Sequence, residues 1–407
     1  MTEASSGLEP DRVKEAPKAR QKPHGPGGTP DPTCPVQPVQ SSSSGHTSYL
    51  VTGYAQARQA LGDPRLSKDT AAFFADKGSR RRLHPAVAQN MLASDPPQHT
   101  RLRKLVTKAF TTGAVAALRP FIGQVTDALL DQWPAHGRVD VIAKLAMPLP
   151  VTVICELLGV PGADRPDIKR WSADLFTAGR PERIDAASHK IAEYMTGLIA
   201  EKRNRPDNAL LDHLISVRDG EDELSEQELV SLAVLLLVAG HETTTNFIGN
   251  ALLALLQQPA DLKRLRRDPD LVPGTLDELL RYTSPVSTAT FRYTTEPLSL
   301  GGVKIPADAP IQVAIGTANR DPERFAFPDQ LDLSRNASGH LAFGHGIHRC
   351  IGAPLARAEA ELALHAILAR FPEIRLAVPP EQLVWQPTRL VHGLAALPVL
   401  VQGLSDD

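Results

Sequence analysis

One cysteine of this chain stands in a loop that is rich in glycine. The segment Phe343-Gly-His-Gly-Ile-His-Arg-Cys-Ile-Gly352 presents Cys350 just before a predicted helix. The N-terminus of a helix and its backbone N–H groups stabilise a thiolate and lower its pKa. Gly344, Gly346 and Gly352 allow the backbone to lie close against a flat ligand, where a Cβ atom would collide. One thiolate without a Cys-x-x-Cys partner is too little for a zinc or iron–sulfur site, but it suits the axial position of haem iron.

A second group of polar residues interrupts the most apolar part of the chain. Ala239-Gly-His-Glu-Thr-Thr244 follows directly on the apolar stretch from Leu229. Burying such side chains requires hydrogen-bond partners or a functional reason. Thr243 can donate to the carbonyl four residues earlier and open a local gap for water. A helix that runs out into solvent is the alternative, but apolar residues resume at Phe247 and argue against it.

Most of the chain that must position these two segments has helical periodicity. Ser225-Glu-Gln-Glu228 has the form of a capping box, and the helix that it opens is predicted to run to Gln257. At 1.5 Å per residue this helix is about 50 Å long, and its apolar middle predicts a buried, central position. Helical spacing also covers residues 141–158, but Pro148 and Pro150 place the start of that helix near Val151. Further helices are expected at 114–130, 191–202, 210–217 and 354–370.

Strand-like segments are short and fall mostly in the second half of the chain. We expect them at 288–293, 298–300, 311–315 and 397–401, with Gly301-Gly302 as a turn, and an early hairpin from 36–39 and 49–51. Residues 1–45 are rich in Pro, Gly and Ser and are predicted to form a mobile tail. Residues 46–407 are predicted to form a single domain. The fold class is therefore mainly α with small β-sheets.

Composition excludes several classes of protein. Of the 407 residues, 42% are hydrophobic and 22% charged, which argues against a disordered chain or a coiled coil. A net charge of −2 excludes a whole-protein basic field for nucleic acid. Three cysteines, of which Cys155 is expected in the core and Cys34 has no evident role, do not make a secreted disulfide framework. Without a signal-peptide pattern or an apolar run of about 20 residues, we expect a soluble, cytoplasmic protein.

The cysteine loop resembles the haem-binding loop of the cytochrome P450 monooxygenases. Phe343, Gly346, Cys350 and Gly352 meet the pattern Phe-x-x-Gly-x-x-x-Cys-x-Gly, and the polar segment around Glu242 is similar to the oxygen-activation motif of that family. The resemblance covers roughly residues 46–401. It is strongest to soluble actinobacterial enzymes that tailor polyketides and other secondary metabolites, although residues 8–34 lack the amphipathic helix usual there. It implies the P450 fold, with a long central helix crossing the haem.

The resemblance also implies roles for individual residues. Cys350 is implied as the axial ligand of the iron of haem b, and Glu242 and Thr243 as the acid–alcohol pair that delivers protons to bound oxygen. Charge-assisted hydrogen bonds to the haem propionates are implied for four cations. These are His99, Arg103, Arg292 and His348.

A third motif is implied as structural. Glu278-Leu-Leu-Arg281 places two opposite charges one helical turn apart and resembles the family's Glu-x-x-Arg pair, which supports the cysteine loop. The family often adds an arginine from a downstream segment. Gln330 stands at the position that we would align with it, so that third contact is in question.

Partners follow from the same resemblance. The chain contains no flavin-binding or ferredoxin-like segment, so separate ferredoxin and reductase proteins are expected to supply electrons, with O2 as co-substrate. An acidic ferredoxin is expected to dock on a group of cations around the cysteine side of the haem: Arg101, Arg103, Lys104, Lys108, Arg349 and Arg357. We expect a monomer that binds neither nucleic acid nor a membrane.

The expected substrate is a bulky, lipophilic small molecule that is hydroxylated or epoxidised. The segments expected to line its pocket are largely apolar: 73–91, 172–188, 234–244, 285–290 and 390–392. Two alternatives remain open. The first is oxidative coupling or peroxide use by a haem-thiolate enzyme, which the intact Glu242–Thr243 pair disfavours. The second is a non-enzymatic haem or ligand carrier, for which a buried acid–alcohol pair has no purpose.

Overall fold

The computed structural model describes residues 34–40, 47–75, 77, 82–176, 180–207, 209–219, 224–388 and 390–403, and within them the chain is mostly helical. The helices are α1 Tyr54–Gly62, α2 Thr70–Phe74, α3 Pro85–Ala88, α4 Gln98–Thr107, α5 Thr112–Leu130, α6 Pro148–Leu158, α7 Arg165–Leu175, α8 Pro181–Asn204, α9 Leu210–Asp219, α10 Glu226–Leu256, α11 Pro259–Arg267, α12 Val272–Thr283, α13 Ile315–Ala318 and α14 Ala353–Arg370. The mainly α fold class is therefore confirmed.

The strands form three small sheets. They are β1 Val36–Gln40, β2 Thr47–Val51, β3 Leu66–Ser67, β4 His136–Asp140, β5 Arg292–Thr294, β6 Leu298–Leu300, β7 Val303–Ile305, β8 Pro310–Val313, β9 Glu373–Leu376 and β10 Pro398–Gln402. The largest sheet has the order β1-β2-β8-β5-β3, the second β4-β10-β9, and β6 pairs with β7. Gly301 and Gly302, both with positive φ, make the predicted turn between β6 and β7. The strand expected at 288–293 begins later, at Arg292.

The predicted early hairpin is present. β1 and β2 pair antiparallel, with Val36 opposite Val51, and β2 continues into the sheet as a parallel neighbour of β8. Residues 36–40 thus belong to the folded sheet, although they fall inside the segment that we predicted as a tail. Residues 1–33 and 41–45 of that segment lie outside the described residues.

The central helix α10 follows its sequence signals closely. The Ser225 side chain accepts a hydrogen bond from the Glu228 N–H, the Glu228 carboxylate accepts one from the Ser225 N–H, and the helix ends at Leu256. It packs against α3, α6, α8, α12 and α14. It is also the one described helix long and apolar enough to cross a membrane, and 67% of its apolar window is buried inside the protein, as in the core helix of a soluble domain.

The start of α6 differs from the prediction. The helix begins at Pro148, not near Val151, and a π-helical turn over Ile142–Ala146 leads into it. The first-turn N–H groups of a helix have no partner within the helix, so Pro148 and Pro150 remove no hydrogen bond there. Cys155, inside this helix, is fully buried as expected, and burial raises the pKa of its thiol to about 12.

Candidate active site

The cysteine loop connects the sheet region to α14. The Cys350 N–H donates to the carbonyl of Phe343 (2.8 Å), which closes the loop before α14 begins. Gly346 has φ +72°, and a Cβ atom on it would stand 2.7 Å from the carbonyl oxygen of Leu61 at the end of α1. Glycine is therefore required at this position by a contact with α1 and by backbone conformation. This reason differs from the one predicted from the sequence, which was contact with a flat ligand.

The environment of the Cys350 sulfur is mixed. The N–H groups of Gly352 and Ala353 donate to it, and the guanidinium groups of Arg103 and Arg349 add positive charge, all of which lower the pKa of the thiol. The residue is exposed at a cavity of about 510 Å³, yet desolvation by the surrounding protein outweighs these contributions and raises its pKa. The predicted helix-terminus stabilisation is present, but burial outweighs it, so the net shift of the thiol pKa is opposite to the expectation.

The polar segment of α10 lies in a continuous helix. Thr243 donates through Oγ1 to the carbonyl of Ala239 at 3.4 Å, which is the predicted bond at its long limit, and the helix continues through it without a break. Glu242 and Thr243 are both half-buried. Burial raises the pKa of the Glu242 carboxyl, and a hydrogen bond from the Gln386 side chain acts in the opposite direction.

Basic side chains from four separate segments meet behind the cysteine loop. They are Lys68, His99, Arg103, Arg292 and His348, here called the cation cluster. The rings of His99 and His348 lie 4.2 Å apart, and Lys68 and Arg292 are 2% and 4% exposed. Both ring nitrogens of His99 and Nε2 of His348 are buried without a hydrogen-bond partner. Buried polar atoms are normally satisfied, so this cluster is built for groups that accept hydrogen bonds.

Burial lowers the pKa of every member of the cation cluster, and repulsion from other members adds to this effect for Lys68, His99 and His348. Burial, Lys68, His99 and the two arginines lower the pKa of His348 to about 2. Burial and the charge of Arg292 lower the pKa of Lys68 well below its usual value, and burial lowers that of Arg292 to about 10. Asp95 is the carboxylate that acts on the cluster.

The charge of the cluster can be counted. In their charged forms, Lys68, Arg103 and Arg292 carry three positive charges, and Asp95 compensates one of them. The two histidines add no charge at pH 7, because their pKa values are lowered. Two positive charges therefore remain uncompensated. A ligand with two carboxylates would neutralise this charge and could accept a hydrogen bond from the N–H group of a neutral imidazole.

The Glu278–Arg281 pair forms the predicted structural element on α12. Both side chains are fully buried, with two hydrogen bonds of 2.6 and 2.8 Å between them. Arg335 supplies the third contact, because its Nε donates to Glu278 at 3.1 Å. Gln330 contributes only its backbone carbonyl, to Arg281 at 3.3 Å. The third contact that Gln330 put in question is therefore present, and Arg335 supplies it.

This network reaches the cysteine loop. Arg281 donates to the carbonyl of Asn319 at 2.9 Å, and the Asn319 side-chain oxygen accepts from the N–H of Leu341 at 2.7 Å. Leu341 stands two residues before Phe343, where the loop begins. The buried pair is thus linked to the start of the loop through Asn319. This agrees with the supporting role that the family resemblance implied.

The predicted cationic patch contains fewer uncompensated charges than the six residues expected from the sequence. Arg101 forms an ion pair with Glu228, and Arg357 with Asp277, so neither presents an uncompensated charge. Arg103 is half-buried, and its guanidinium donates to the carbonyl of Arg349 at 2.6 Å. The exposed cations that remain are Lys104, Lys108 and Arg349.

Comparison with known proteins decides the family. The family model described as Cytochrome P450 matches residues 165–398. The chain belongs to the cytochrome P450 family. This P450 shares 47% identity over 372 residues with cytochrome P450 107B1 of Saccharopolyspora erythraea, covering 90% of this chain and 92% of the relative. It shares 41% identity with the 6-deoxyerythronolide B hydroxylase of the same organism, covering 91% of this chain and 94% of the relative.

A solved structure supports the same assignment. The tirandamycin C-bound P450 monooxygenase TamI matches with a TM-score of 0.83 at 46% identity, covering 89% of this chain and 93% of that one. The resemblance stated from the sequence is therefore confirmed for family, fold and enzyme class. The protein is a P450 monooxygenase, and its cofactor is haem b.

The residues of this P450 fit haem b. In the described part of the chain, no group of three His, Cys, Asp or Glu side chains is arranged for a metal ion, so Cys350 does not belong to such a group. The cation cluster offers orphaned donors and two uncompensated charges, which match the two propionates of the cofactor. Lys68 was missed by the sequence analysis, because only the fold brings it beside Arg292.

Proposed function

We propose that Cys350 is the axial ligand of the haem iron and that the cation cluster holds the propionates. The observation that carries this proposal is the cluster itself, whose buried, unpartnered imidazole nitrogens lie next to two uncompensated charges. When bound, haem supplies the site for activating O2 and inserting one of its oxygen atoms. The protein contributes a thiolate, held by the N–H groups of Gly352 and Ala353, and a set of charge-assisted bonds that fix the orientation of the ring.

Glu242 and Thr243 are proposed as the residues that deliver protons. Glu242 has a raised pKa because it is buried, and a carboxyl of this kind holds a proton closer to neutral pH than an exposed one. The Thr243 hydroxyl lies one residue away and makes only a long bond to its own helix, so its oxygen remains able to accept and pass on a proton. One oxygen atom enters the substrate, and the other leaves as water after two electrons and two protons are taken up.

The substrate is proposed to be a macrolide-like or other bulky lipophilic molecule. Two of the predicted lining segments lie side by side, because the Ser287 N–H donates to the carbonyl of Leu390 at 2.9 Å and Val286 pairs with Val391. Parts of 73–91 and 172–188 lie outside the described residues. Relatives named as mycinamicin IV hydroxylase/epoxidase and vitamin D(3) 25-hydroxylase support this substrate class.

Electrons are proposed to come from a ferredoxin and its reductase. P450 enzymes of this type take electrons from partner proteins. The exposed Arg349 lines the same cavity as Cys350, and the exposed Lys104 and Lys108 directly follow Arg103 and Thr107, which also line it. This positive charge favours a partner with an acidic surface. The cytoplasmic location and monomeric state remain predictions from the sequence.

A binding screen tests the substrate class first. We expect at least one of mycinamicin IV, 6-deoxyerythronolide B, tirandamycin C and vitamin D3 to shift the Soret band of the ferric protein. If none does at soluble concentrations, the proposed substrate class is wrong. Mass spectrometry of the product of the best binder then separates gain of one oxygen atom from loss of two hydrogen atoms. Loss of two hydrogen atoms would favour oxidative coupling. This alternative is retained because CxnD, a cytochrome P450 enzyme for C–S bond formation, has a similar structure at 39% identity.

The proton-delivery roles are tested by coupling. Thr243→Ala is expected to keep consuming NAD(P)H while diverting electrons to hydrogen peroxide, and Glu242→Gln to slow turnover by at most roughly 10²–10⁴-fold. Thr196→Ala is a matched control, because Thr196 makes the same kind of bond, to the carbonyl of Ala192 (2.9 Å) on α8. The measurement is product and peroxide formed per NAD(P)H consumed. If both variants form as much product per NAD(P)H as Thr196→Ala does, Glu242 and Thr243 do not deliver protons.

A further inference from the structure

The segment that contains α3 is bound at its start to the N-terminal half of α8. In residues 82–90, here called the strap, the Arg82 N–H donates to the Asp185 carboxylate and the His84 N–H to the Ser188 hydroxyl, both at 3.0 Å. Ser188 in turn donates to the carbonyl of Asp185 at 2.7 Å, so its oxygen is oriented to accept. The start of the strap is therefore bound to one short stretch of α8.

The other end of the strap is attached to α10. The Ser231 hydroxyl donates to the carbonyl of Gln89 at 3.2 Å, and Ala86 of α3 is buried in the main hydrophobic core. The segments 73–91 and 172–188, both predicted to line the substrate pocket, thus meet where the strap is bound to α8.

Two histidines lie edge to face at the same contact. The rings of His84 and His189 are 5.3 Å apart, with 90° between their planes. Nδ1 of His84 accepts from the Ala86 N–H at 3.2 Å and so caps α3, which requires that this nitrogen carries no proton. Nε2 of His189 lies 3.1 Å from the carbonyl of Arg82, and because a carbonyl only accepts, this nitrogen carries the proton. The contact therefore requires a neutral His84.

Protonation of His84 acts against this contact in two ways. It removes the acceptor that caps α3, and it places a positive charge beside His189. Desolvation and the charge of His189 lower the pKa of His84, and Glu193 acts in the opposite direction as the smallest of the three causes. The other carboxylate at the contact, Asp185, is bonded to the backbone of the strap, and α3 itself has no ionisable side chain. Because the bound strap lowers this pKa, a released strap takes up a proton more readily, so a fall in pH below about 6.5, the usual pKa of histidine, favours release.

We propose that His84 and His189 form a latch that opens when it is protonated, releasing the strap from α8 and opening one wall of the substrate pocket. The proposal rests on the position proposed above for that pocket. Release occurs on the α8 side because the hydrogen bonds there involve the exposed residues Arg82 and His189, whereas buried Ala86 holds α3 to the core. The gap between the strap and α8 gives a bulky lipophilic molecule a path into the pocket.

Substitutions of opposite effect separate the latch from simple packing. The double variant His84→Asn with His189→Gln keeps a side-chain acceptor for the cap of α3 and an amide donor for the carbonyl of Arg82, but neither side chain titrates, so the strap should stay bound at low pH. His84→Lys removes the acceptor and carries its charge at neutral pH, so the strap should be released there. His365→Gln changes an exposed histidine of α14 and is the matched control.

The measurement is hydrogen–deuterium exchange of the strap in the haem-loaded protein, read by mass spectrometry at about pH 7.5 and about pH 5.5 and corrected for intrinsic rates. Haem absorbance recorded in parallel shows that each variant is loaded and folded. Loss of a helix cap corresponds to roughly 2- to 30-fold faster exchange, which we expect at the lower pH in the wild type and in His365→Gln, and at both pH values in His84→Lys. The double variant should show no such increase. An equal increase in the double variant, or none in the wild type, overturns the inference.

Entry into the pocket is tested with N-benzylimidazole, which binds ferric haem iron and shifts the Soret band. The proteins are compared at about pH 7.5 alone, so that titration of the ligand affects all of them equally. Association should be faster in His84→Lys than in the wild type, and equal rates would show that the strap does not control entry. Failure of the proposed function is distinguishable: if no protein shifts the band, the proposed haem pocket is wrong, whereas exchange of the strap still tests the latch.

Discussion

Replacement of Lys68 by methionine is expected to weaken haem binding and at the same time stabilise the haem-free protein. Lys68 is 2% exposed, its ammonium contacts the Thr290 hydroxyl, and its strongest electrostatic neighbour is Arg292. In the haem-free chain this charge is buried among like charges. With haem bound, a propionate supplies the missing counter-charge, so the two states should respond with opposite signs.

The magnitude for haem binding follows from the lost charge-assisted bond. Hydrogen bonds to charged groups contribute about 1.5–3 kcal/mol, which corresponds to a loss of roughly 10- to 150-fold in haem affinity. For the haem-free protein, replacing a buried ion by an apolar side chain of similar volume is neutral to stabilising by about 1–4 kcal/mol. Methionine is suitable because it keeps most of the length of Lys68 and adapts to irregular spaces.

The pH dependence of stability gives an independent test of whether the Lys68 charge destabilises the haem-free protein. The folded, haem-free state lowers the pKa of Lys68 below its unfolded value of about 10.4. Between the folded pKa and that value the unfolded chain binds more protons, so the free energy of unfolding rises with pH. Lys68→Met should flatten this rise.

Two measurements check the prediction: the rate of haem transfer to an excess of apomyoglobin, and urea unfolding of the haem-free protein across the alkaline range. Lys304→Met, at an exposed position of β7, is the control. A haem release rate equal to that of the control would refute the placement of Lys68 beside a propionate. A haem-free protein that loses stability in Lys68→Met would refute the argument from buried charge.

Two further predictions concern the support of the cysteine loop and the partner surface. Arg335→Ala should lower the free energy of unfolding by about 1.5–3 kcal/mol, since it removes a charge-assisted hydrogen bond to buried Glu278, which keeps its pair with Arg281. Gln330→Ala should be close to neutral because only its backbone takes part, and urea unfolding distinguishes the two. Lys104→Glu with Lys108→Glu should slow reduction by ferredoxin at low salt, and an unchanged rate in stopped-flow reduction would contradict docking on this surface.

Local signals made several elements predictable. The start of α10 was predicted because Ser225 and Glu228 cap each other within one turn, and its buried middle because the sequence there is apolar on every side. The cysteine loop was predictable because its glycines and Cys350 stand at fixed spacing. The start of α6 was not, because the cost of proline was applied to Pro148 without allowing for the first turn of a helix, where it is absent.

The parts that escaped prediction depend on long-range contacts. Lys68 and Arg335 are ordinary polar residues in their own segments, and nothing in their local sequence distinguishes them from exposed ones. Each gains its place only when a distant segment packs beside it: Arg292 beside Lys68, and Glu278 beside Arg335. Their partners were identified from motifs and from the family resemblance. Sequence patterns therefore located the site, whereas the residues that pack against it are known only from the fold.

The spectrum of the reduced protein under carbon monoxide tests the central claim, that Cys350 is the thiolate ligand of haem. The wild type is expected to show a band at about 450 nm, and Cys350→Ser to lose it while still binding haem through the cation cluster. Cys155→Ser, at the buried cysteine of α6, should keep the band. A band that persists in Cys350→Ser, or that disappears in a folded Cys155→Ser protein, would contradict the account.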